Sequence, residues 1–247
     1  MIFQKREEAG RRLAASLQRY RDEPGGLVLA LPRGGVPVGY QLSAGLHLPL
    51  DVFISRKIGV PENPEYALGA VSETGNVYLN PDAVGAFGLS DKDIQDLVQI
   101  QRDEIRRRQI RYRRGRHPIP LKDRCVILVD DGLATGATFF ASIEAIRKES
   151  PRMVIAAIPV GPVDTIKKAR PLVDDLIVLA MPEPFWSVGG HYADFAQVSD
   201  DQVVAYLQSV APDLVQRVHL HQGPLSVFEE YHVVEQVHKA LDRKVWL

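Results

Sequence analysis

The stretch VILVDDGLATGAT, residues 126–138, decides the fold expected of this 247-residue chain. Its first four residues are branched and apolar, which is typical of a strand buried on both faces. Asp130 and Asp131 follow at the end of that strand, and small and hydroxylated residues lead into a helix near Ala137. Because ligands of open parallel sheets bind beyond the carboxyl ends of the strands, the stretch predicts a binding site there.

Other apolar segments have the same character, and helical patterns fall between them. The predicted strands cover residues 27–31, 52–54, 125–129, 154–158 and 176–180. The predicted helices cover residues 4–20, 36–46, 137–149 and 163–172. A further helix is predicted from about 200 to 209, with Ser199, Asp200 and Asp201 as its cap. Alternating strands and helices favour an α/β fold in which helices flank an open, mainly parallel, twisted sheet.

An insertion over about residues 58–117 interrupts this alternation. Residues 67–72 and 76–79 flank a Glu-Thr-Gly turn and predict an antiparallel hairpin. Ser90 and the acids after it predict a helix that continues to about Arg114. The hairpin is either purely structural or supplies covering and proton-transfer residues, for which the candidates are Glu65, Tyr66 and Glu73.

The end of the inserted helix is strongly basic. Eight arginines and two acids lie between residues 101 and 116. This pattern indicates either a solvated helix face that pairs with acids elsewhere or a site for phosphate or nucleic acid.

Composition narrows the function classes only slightly. A formal net charge of −1 gives no reason to expect nucleic acid or an anionic membrane as a partner. The single cysteine, Cys125, excludes an intrachain disulfide, and its apolar neighbours predict a buried, inert thiol. Since neither a secretory signal nor a membrane-spanning apolar window is evident, we expect a soluble, cytoplasmic protein.

The loop after the central strand combines an anion cradle with two acids. Backbone N–H groups of residues 132–136 and the following helix terminus suit a phosphate monoester, and Thr135 and Thr138 add hydroxyl donors. The two aspartates would repel that phosphate but would accept hydrogen bonds from a vicinal diol. A phosphate beside two hydroxyls describes ribose 5-phosphate, whereas Walker A and Rossmann glycine patterns are absent.

The strand, the paired acids and G-x-x-T-G-x-T together resemble the signature of type I phosphoribosyltransferases, which use 5-phosphoribosyl 1-pyrophosphate (PRPP). The resemblance implies a catalytic domain over about residues 1–215 with a hood at about 182–200, followed by a helical extension at 216–247. It places Asp130 and Asp131 on the ribose 2- and 3-hydroxyls. The residues that it assigns to the 5-phosphate are Gly132, Leu133, Ala134, Thr135, Gly136 and Thr138.

Two further segments resemble the pyrophosphate-binding parts of the family. In LALPRGGVPVG, residues 29–39, Gly34 and Gly35 allow backbone N–H groups to approach an anion while Arg33 adds positive charge. Family members often have a non-proline cis peptide in this loop. Arg56 and Lys57 in SRKIG resemble the pair that precedes the mobile catalytic loop of adenine and orotate phosphoribosyltransferases. Judged alone, the first segment is also compatible with a simple turn and the second with a surface pair.

The acceptor is the least defined part of the resemblance. Phe185 and Trp186 follow the last predicted strand and either stack on a planar base or pack the hood against the core. The stretch VGG-Y-DF-Q-SD, residues 188–200, is similar to a little-characterised prokaryotic branch whose natural acceptor is not established.

The resemblance implies transfer of 5-phosphoribose from PRPP to a nitrogenous base or other nitrogen acceptor, with release of pyrophosphate. Asp130, Asp131, Lys57 and Arg33 are the expected catalytic residues, and Mg²⁺ would touch the two aspartates through water. A homodimer is expected, and a membrane or nucleic-acid partner is not. The alternatives are a PRPP- or nucleotide-sensing regulator that binds RNA through its arginines, and PRPP hydrolysis or a lyase-like reaction.

Overall fold

A computed structural model describes residues 3–60, 63–79 and 81–210 of the chain. The strands are β1 (Gly26–Ala30), β2 (Leu50–Val52), β3 (Ser55–Val60), β4 (Asn63–Ser72), β5 (Val77–Leu79), β6 (Cys125–Val129), β7 (Met153–Val160) and β8 (Asp175–Ala180). The helices are α1 (Arg6–Ser16), α2 (Gly35–Leu46), α3 (Pro81–Phe87), α4 (Asp91–Arg113), α5 (Ala137–Lys148), α6 (Val163–Ala169) and α7 (Asp200–Gln208).

The main sheet has five parallel strands in the order β2-β1-β6-β7-β8. Every residue of β1 and β6 is buried, as their unbroken apolar sequences predict. Ala30 at the end of β1 lies beside Val129 at the end of β6. The loops that follow these two strands therefore leave the same edge of the sheet side by side, and the predicted α/β fold is confirmed.

The two faces of the sheet have separate apolar cores. On one face, side chains such as Ile127 pack with Leu13 and Leu42, which belong to α1 and α2. On the other face, Val126 and Leu128 pack with Phe139 and other residues of α5. Successive residues of β6 thus enter opposite cores, because side chains of a strand alternate between its faces.

A second sheet holds β3, β4 and β5 in antiparallel order. The predicted hairpin is confirmed, with Val71 paired to Val77 across the turn. Arg56 and Lys57, however, lie inside β3 and do not precede a long loop. Residues 55–60 form a strand because Ile58 and Val60 bury their side chains while the backbone pairs with β4. The flexible loop predicted after this pair is therefore wrong over residues 58–60, which continue the strand.

The helix predicted after Ser90 is confirmed. Ser90 accepts a hydrogen bond from the Asp93 N–H, and the Asp93 side chain accepts one from the Ser90 N–H, so a capping box begins α4. The helix ends at Arg113, and Arg114 adopts a left-handed backbone with φ +48°. The short helix α3 before it was not predicted, because seven residues are too few to show helical periodicity.

Arg113 is buried at the place where α4 meets both sheets. Its guanidinium donates to Glu73 at 2.5 Å, to Asp51 of β2 at 3.2 Å and to the Val52 carbonyl at 2.7 Å. Only 4% of the Arg113 side chain and 5% of the Glu73 side chain are exposed. This ion-pair network joins the inserted hairpin and α4 to the edge of the main sheet. The contacts of Glu73 with Arg113 are therefore structural.

The capping box of Ser199 and Gln202 starts α7 where the sequence predicts it. Cys125 is buried as expected, and burial raises the pKa of its thiol to about 11. None of the helices in the described ranges has the length and apolar character needed to cross a membrane. The helical extension predicted at 216–247 lies outside the described residues.

Replacing Arg113 with Met should lower the free energy of unfolding by about 3 kcal/mol, because Asp51 and Glu73 would remain buried without their cation. The midpoint of urea unfolding measures this loss. Arg106→Met on the exposed part of the same helix is the matched control and should change stability by less than about 0.5 kcal/mol. Equal midpoints for the two variants would contradict the structural role of Arg113.

Candidate active site

Two loops meet at the carboxyl edge of the main sheet. Residues 31–34 connect β1 to α2, and residues 130–136 connect β6 to α5. Each loop ends at the amino terminus of a helix, where free backbone N–H groups and the helix dipole favour anions. The two aspartates therefore lie next to two helix amino termini, one at the end of each loop.

Glycines hold the two loops in direct contact. A Cβ atom on Gly34 would overlap the carboxylate of Asp131. A Cβ atom on Gly35 would lie 2.8 Å from the Val129 carbonyl oxygen and 3.0 Å from Cα of Asp130. Any larger side chain at these two positions would push the loops apart, so both positions require glycine.

The two aspartates are packed side by side in this junction. Asp130 accepts a hydrogen bond from the Asp131 N–H at 2.8 Å. Burial and the neighbouring Asp131 charge raise the pKa of Asp130 well above its usual range. Burial also raises the pKa of Asp131, although the Arg6 cation opposes this shift. Both groups would be stabilised by a ligand that offers hydroxyl donors or positive charge.

Arg6 is the counter-ion that the sequence did not reveal. Its Nε donates to Asp131 at 2.7 Å, its terminal nitrogen donates to the Ala196 carbonyl at 2.8 Å, and its guanidinium lies 3.8 Å from the Phe195 ring centroid. The Tyr192 hydroxyl donates to the Asp131 carbonyl at 2.6 Å. Tyr192 and Phe195 fall in the hood stretch noted in the sequence, whereas Arg6 gave no signal beyond its place in an amphipathic helix.

The loop after the aspartates has the form of an anion cradle. Gly136 has φ +77°, a left-handed backbone that suits glycine, and it precedes the first turn of α5, which contains no acidic residue. Ala134 and Thr135 are exposed, and Thr138 is half-buried. Leu133 anchors the loop from behind, because its N–H donates to the Val160 carbonyl at 2.9 Å.

Arg33 lies on the opposite loop, after a cis peptide bond between Pro32 and Arg33. Its guanidinium is 3.8 Å from Oδ1 of Asp200, the first residue of α7. The Tyr112 hydroxyl donates to the same oxygen at 2.7 Å. Burial alone would raise the pKa of Asp200, but Tyr112 and nearby arginines lower it, so this carboxylate is ionised beside Arg33.

Arg56 and Lys57 belong to β3 of the small sheet. Arg56 is half-buried and donates to the Gln101 side chain of α4 at 3.0 Å. Burial and the charge of Arg108 lower the pKa of Arg56. Lys57 follows it in β3 and is also half-buried. Arg56 therefore contacts α4, a contact that the sequence did not predict.

A sequence model of the phosphoribosyl transferase domain matches residues 1–189, more than half of the chain. The chain belongs to the phosphoribosyl transferase domain family. Its fold is the α/β fold of type I phosphoribosyltransferases, as the sequence resemblance implies.

Relatives support this family membership. In two strains of Mycobacterium tuberculosis, a protein named "Putative phosphoribosyl transferase" is 41% identical over 215 residues, which are 87% of this chain and 48% of the relative. The chain thus spans about half the length of the curated relatives it matches. The crystal structure of TT1426 from Thermus thermophilus is 39% identical, with a TM-score of 0.73 over 85% of this chain and 100% of that one.

In the hood of this phosphoribosyl transferase domain, Phe185 and Trp186 have different surroundings. The Phe185 ring stacks on His191 at 5.3 Å and packs against the small core formed around Phe3. Trp186 is 87% exposed, so its indole faces solvent. Of the two, Trp186 therefore presents the open aromatic surface, whereas Phe185 takes the packing role that was its alternative.

Few protein ligands are available for a metal ion. Among the residues that the structure describes, no group of three or more His, Cys, Asp and Glu side chains is arranged to hold one. Asp130 and Asp131 carry two carboxylates against the single guanidinium of Arg6. This donor set fits a Mg²⁺ ion that receives most of its ligands from a substrate and water.

Gly34→Ala should lower the melting temperature, because the added methyl group meets the buried Asp131 carboxylate and separates the loops. Overpacking of this kind costs about 1–3 kcal/mol. Gly85→Ala is the control, since its Cβ meets nothing within 4 Å, and it should have a neutral or slightly stabilising effect. Calorimetry that finds both variants equally stable would refute the close contact between the loops.

Proposed function

We propose that this chain transfers the 5-phosphoribosyl group of PRPP to a nitrogenous acceptor and releases pyrophosphate. The observation that carries the proposal is the contact of Gly34 and Gly35 with Asp130 and Asp131. It brings two anion-binding loops together with a pair of diol-binding acids. PRPP has the matching groups, since its ribose hydroxyls lie between a phosphate and a pyrophosphate.

The 5-phosphate would bind to N–H groups of the loop over residues 132–136, other than that of Leu133, which donates to the Val160 carbonyl. Thr135 and Thr138 would add hydroxyl donors. The ribose hydroxyls would donate to Asp130 and Asp131. Such hydrogen bonds favour the ionised carboxylates, which burial otherwise disfavours. Arg6 would keep Asp131 oriented toward the sugar through its hydrogen bond to Oδ2.

In the reaction, the bond between the anomeric carbon and the pyrophosphate oxygen breaks, and both bonding electrons leave with pyrophosphate. The sugar gains oxocarbenium character, as in other glycosyl transfers. Asp130 and Asp131 would stabilise this positive charge, while Arg33, Arg56 and Lys57 would stabilise the leaving group. The acceptor nitrogen then bonds to the anomeric carbon and loses its proton, so no covalent enzyme intermediate is needed.

Mg²⁺ would neutralise pyrophosphate charge when bound with the substrate, and Asp130 and Asp131 would hold it through water. Exclusion of water matters equally, because water competes with the acceptor for the same carbon. The hood contributes to this through Tyr192 and Phe195, which cover Arg6 behind the aspartates.

The acceptor would approach from the hood. The exposed indole of Trp186 offers a face on which a planar nitrogenous base can stack. Phe185 needs no ligand to cover its ring, because the ring already stacks on His191.

The structure gives less support to an RNA-binding regulator. Four arginines of the basic segment already have carboxylate partners, with Arg107 and Arg108 on Glu104, Arg111 on Asp200 and Asp201, and Arg113 on Asp51 and Glu73. Ion pairing of this kind reduces the positive charge available to a phosphate backbone. The interpretation of the segment as a helix face paired with acids is therefore the better one for Arg107, Arg111 and Arg113.

The deciding experiment measures pyrophosphate release from PRPP with Mg²⁺ across a panel of purine, pyrimidine and other nitrogen acceptors. Acceptor-dependent release together with a new nucleotide product supports transfer. Equal release without an acceptor, with ribose 5-phosphate as the product, would instead identify a hydrolase. PRPP binding without turnover, combined with RNA binding that weakens steeply with salt, would reject the enzyme hypothesis.

Asp131→Asn should reduce kcat/KM for PRPP at least tenfold, about 1.4 kcal/mol, because a carboxylate that accepts ribose hydroxyls and stabilises positive charge is lost. Steady-state kinetics with varied PRPP measures the change. Asp96→Asn on the exposed face of α4 should retain wild-type kinetics. If Asp131→Asn folds normally and keeps wild-type kinetics, the ribose-binding role of this residue is wrong.

A further inference from the structure

The inserted helix α4 lies directly beside the proposed pyrophosphate loop. Asp200 joins the two, since its carboxylate is 3.8 Å from Arg33 and also accepts the Tyr112 hydroxyl of α4. Arg107 and Arg111 approach the other oxygen of Asp200 at 3.4 Å and 3.3 Å. The carboxyl-terminal half of α4 is thereby fixed against the loop that carries Arg33.

Positive charge exceeds negative charge in this region. Five guanidiniums from three separate elements face three carboxylates among the described residues. The guanidiniums belong to Arg33, Arg56, Arg107, Arg108 and Arg111, and the carboxylates belong to Glu104, Asp200 and Asp201. A hydrogen bond from Arg107 lowers the pKa of Glu104 to about 2, so this acid already contributes its full charge. Positive charge thus exceeds negative charge by two within this cluster.

Arg56 and Arg108 are the inner members of the cluster. The Arg108 side chain is 13% exposed, against 48% for Arg107 and 43% for Arg111. Arg56 is half-buried and donates to the neutral Gln101 amide. Arg108 and Tyr112 are one turn apart on α4, so their side chains project from the same face of the helix, and Tyr112 contacts the Asp200 carboxylate beside Arg33.

Partly buried cations without enough counter-charge are costly unless an anion completes the site. The geometry points to α4 as one wall of the donor site, with Arg108 binding the pyrophosphate group together with Arg33 and Arg56. This inference rests on the proposed function and extends it, because it assigns substrate binding to the inserted helix. The ligand class is a diphosphate, whose additional negative charge over a monophosphate matches the two excess positive charges of the cluster.

A diphosphate fits this region better than RNA does. RNA would require an exposed basic stripe, yet Arg107 and Arg111, the outward members, are already held by Asp200 and Asp201. The inner pair lies between β3 and α4, where a small anion with several oxygens can accept from both guanidiniums.

The test measures binding of magnesium pyrophosphate and, separately, of ribose 5-phosphate to the full chain by calorimetry. Arg108→Gln should raise the Kd for pyrophosphate about tenfold or more, the loss expected when a charge-assisted hydrogen bond to an anion is removed. Its Kd for ribose 5-phosphate should remain within about twofold of wild type, since the 5-phosphate binds at the other loop. Arg106→Gln, exposed on the same helix, should bind both ligands as wild type does.

A second comparison separates direct binding from neutralisation of Glu104. If Arg108 only neutralises Glu104, the double variant Arg108→Gln/Glu104→Gln would regain pyrophosphate binding, and the inference fails. If Arg108 contacts the anion, the double variant stays weak. Should Arg108→Gln fail to fold, Arg108→Lys provides the test, because it keeps the charge but loses the planar donor groups, and wild-type pyrophosphate affinity in this variant would overturn the inference.

The outcome also distinguishes this inference from the proposed function. Loss of pyrophosphate binding with ribose 5-phosphate binding intact supports both. Wild-type binding of both ligands by Arg108→Gln refutes the role of α4 and leaves the proposed function standing. A wild-type chain that binds neither ligand refutes both.

Discussion

The site depends on the burial of two adjacent carboxylates at the point where the loop after β6 meets the loop after β1. Asp130 and Asp131 follow a fully buried strand, and the parallel pairing of β1 places the PRGG loop directly against them. Burial disfavours their charges, so each must find a counter-ion or a donor. Arg6 supplies one from the first helix, and the ribose hydroxyls of the proposed substrate would supply the others. The glycines, Arg6 and the hood residues around it all follow from this requirement.

Two faces of the inserted helix α4 make two different sets of contacts. Arg113 and Gln109 of α4 point to Glu73 and the hairpin, where burial and ion pairs fix the small sheet to β2. Tyr112 points to Asp200 and the loop that carries Arg33. Because both faces belong to the same helix, the attachment of the small sheet also sets the position of the basic cluster.

Local patterns predicted much of this structure, and long-range contacts did not. The boundaries of β6 and the cap of α4 were predictable because strand burial and N-capping depend on residues next to one another. Arg6 was not predictable as a partner of Asp131, because 125 residues separate them and the sequence around Arg6 is compatible with an ordinary surface helix. The same holds for Asp200, which appeared in the sequence as a simple helix cap.

Residues 55–60 show why a motif can be recognised while its local structure is mispredicted. The Arg-Lys pair resembles a family element, but the alternating burial of Ile58 and Val60 makes the segment a strand. A match between residues specifies chemistry, whereas backbone pairing depends on partners far along the chain. The contact of Arg56 with α4 results from this backbone pairing and not from the motif itself.

Cys125 is the one cysteine of the chain, and its buried thiol of raised pKa resists alkylation. Cysteines introduced at Ile110 of α4 and Met181 before the hood, both exposed, would therefore be the sites that maleimide dyes label. Energy transfer between two such dyes would report the spacing of the inserted helix and the hood as substrates arrive. The buried thiol thus makes the native chain a ready background for fluorescence measurements of its motion.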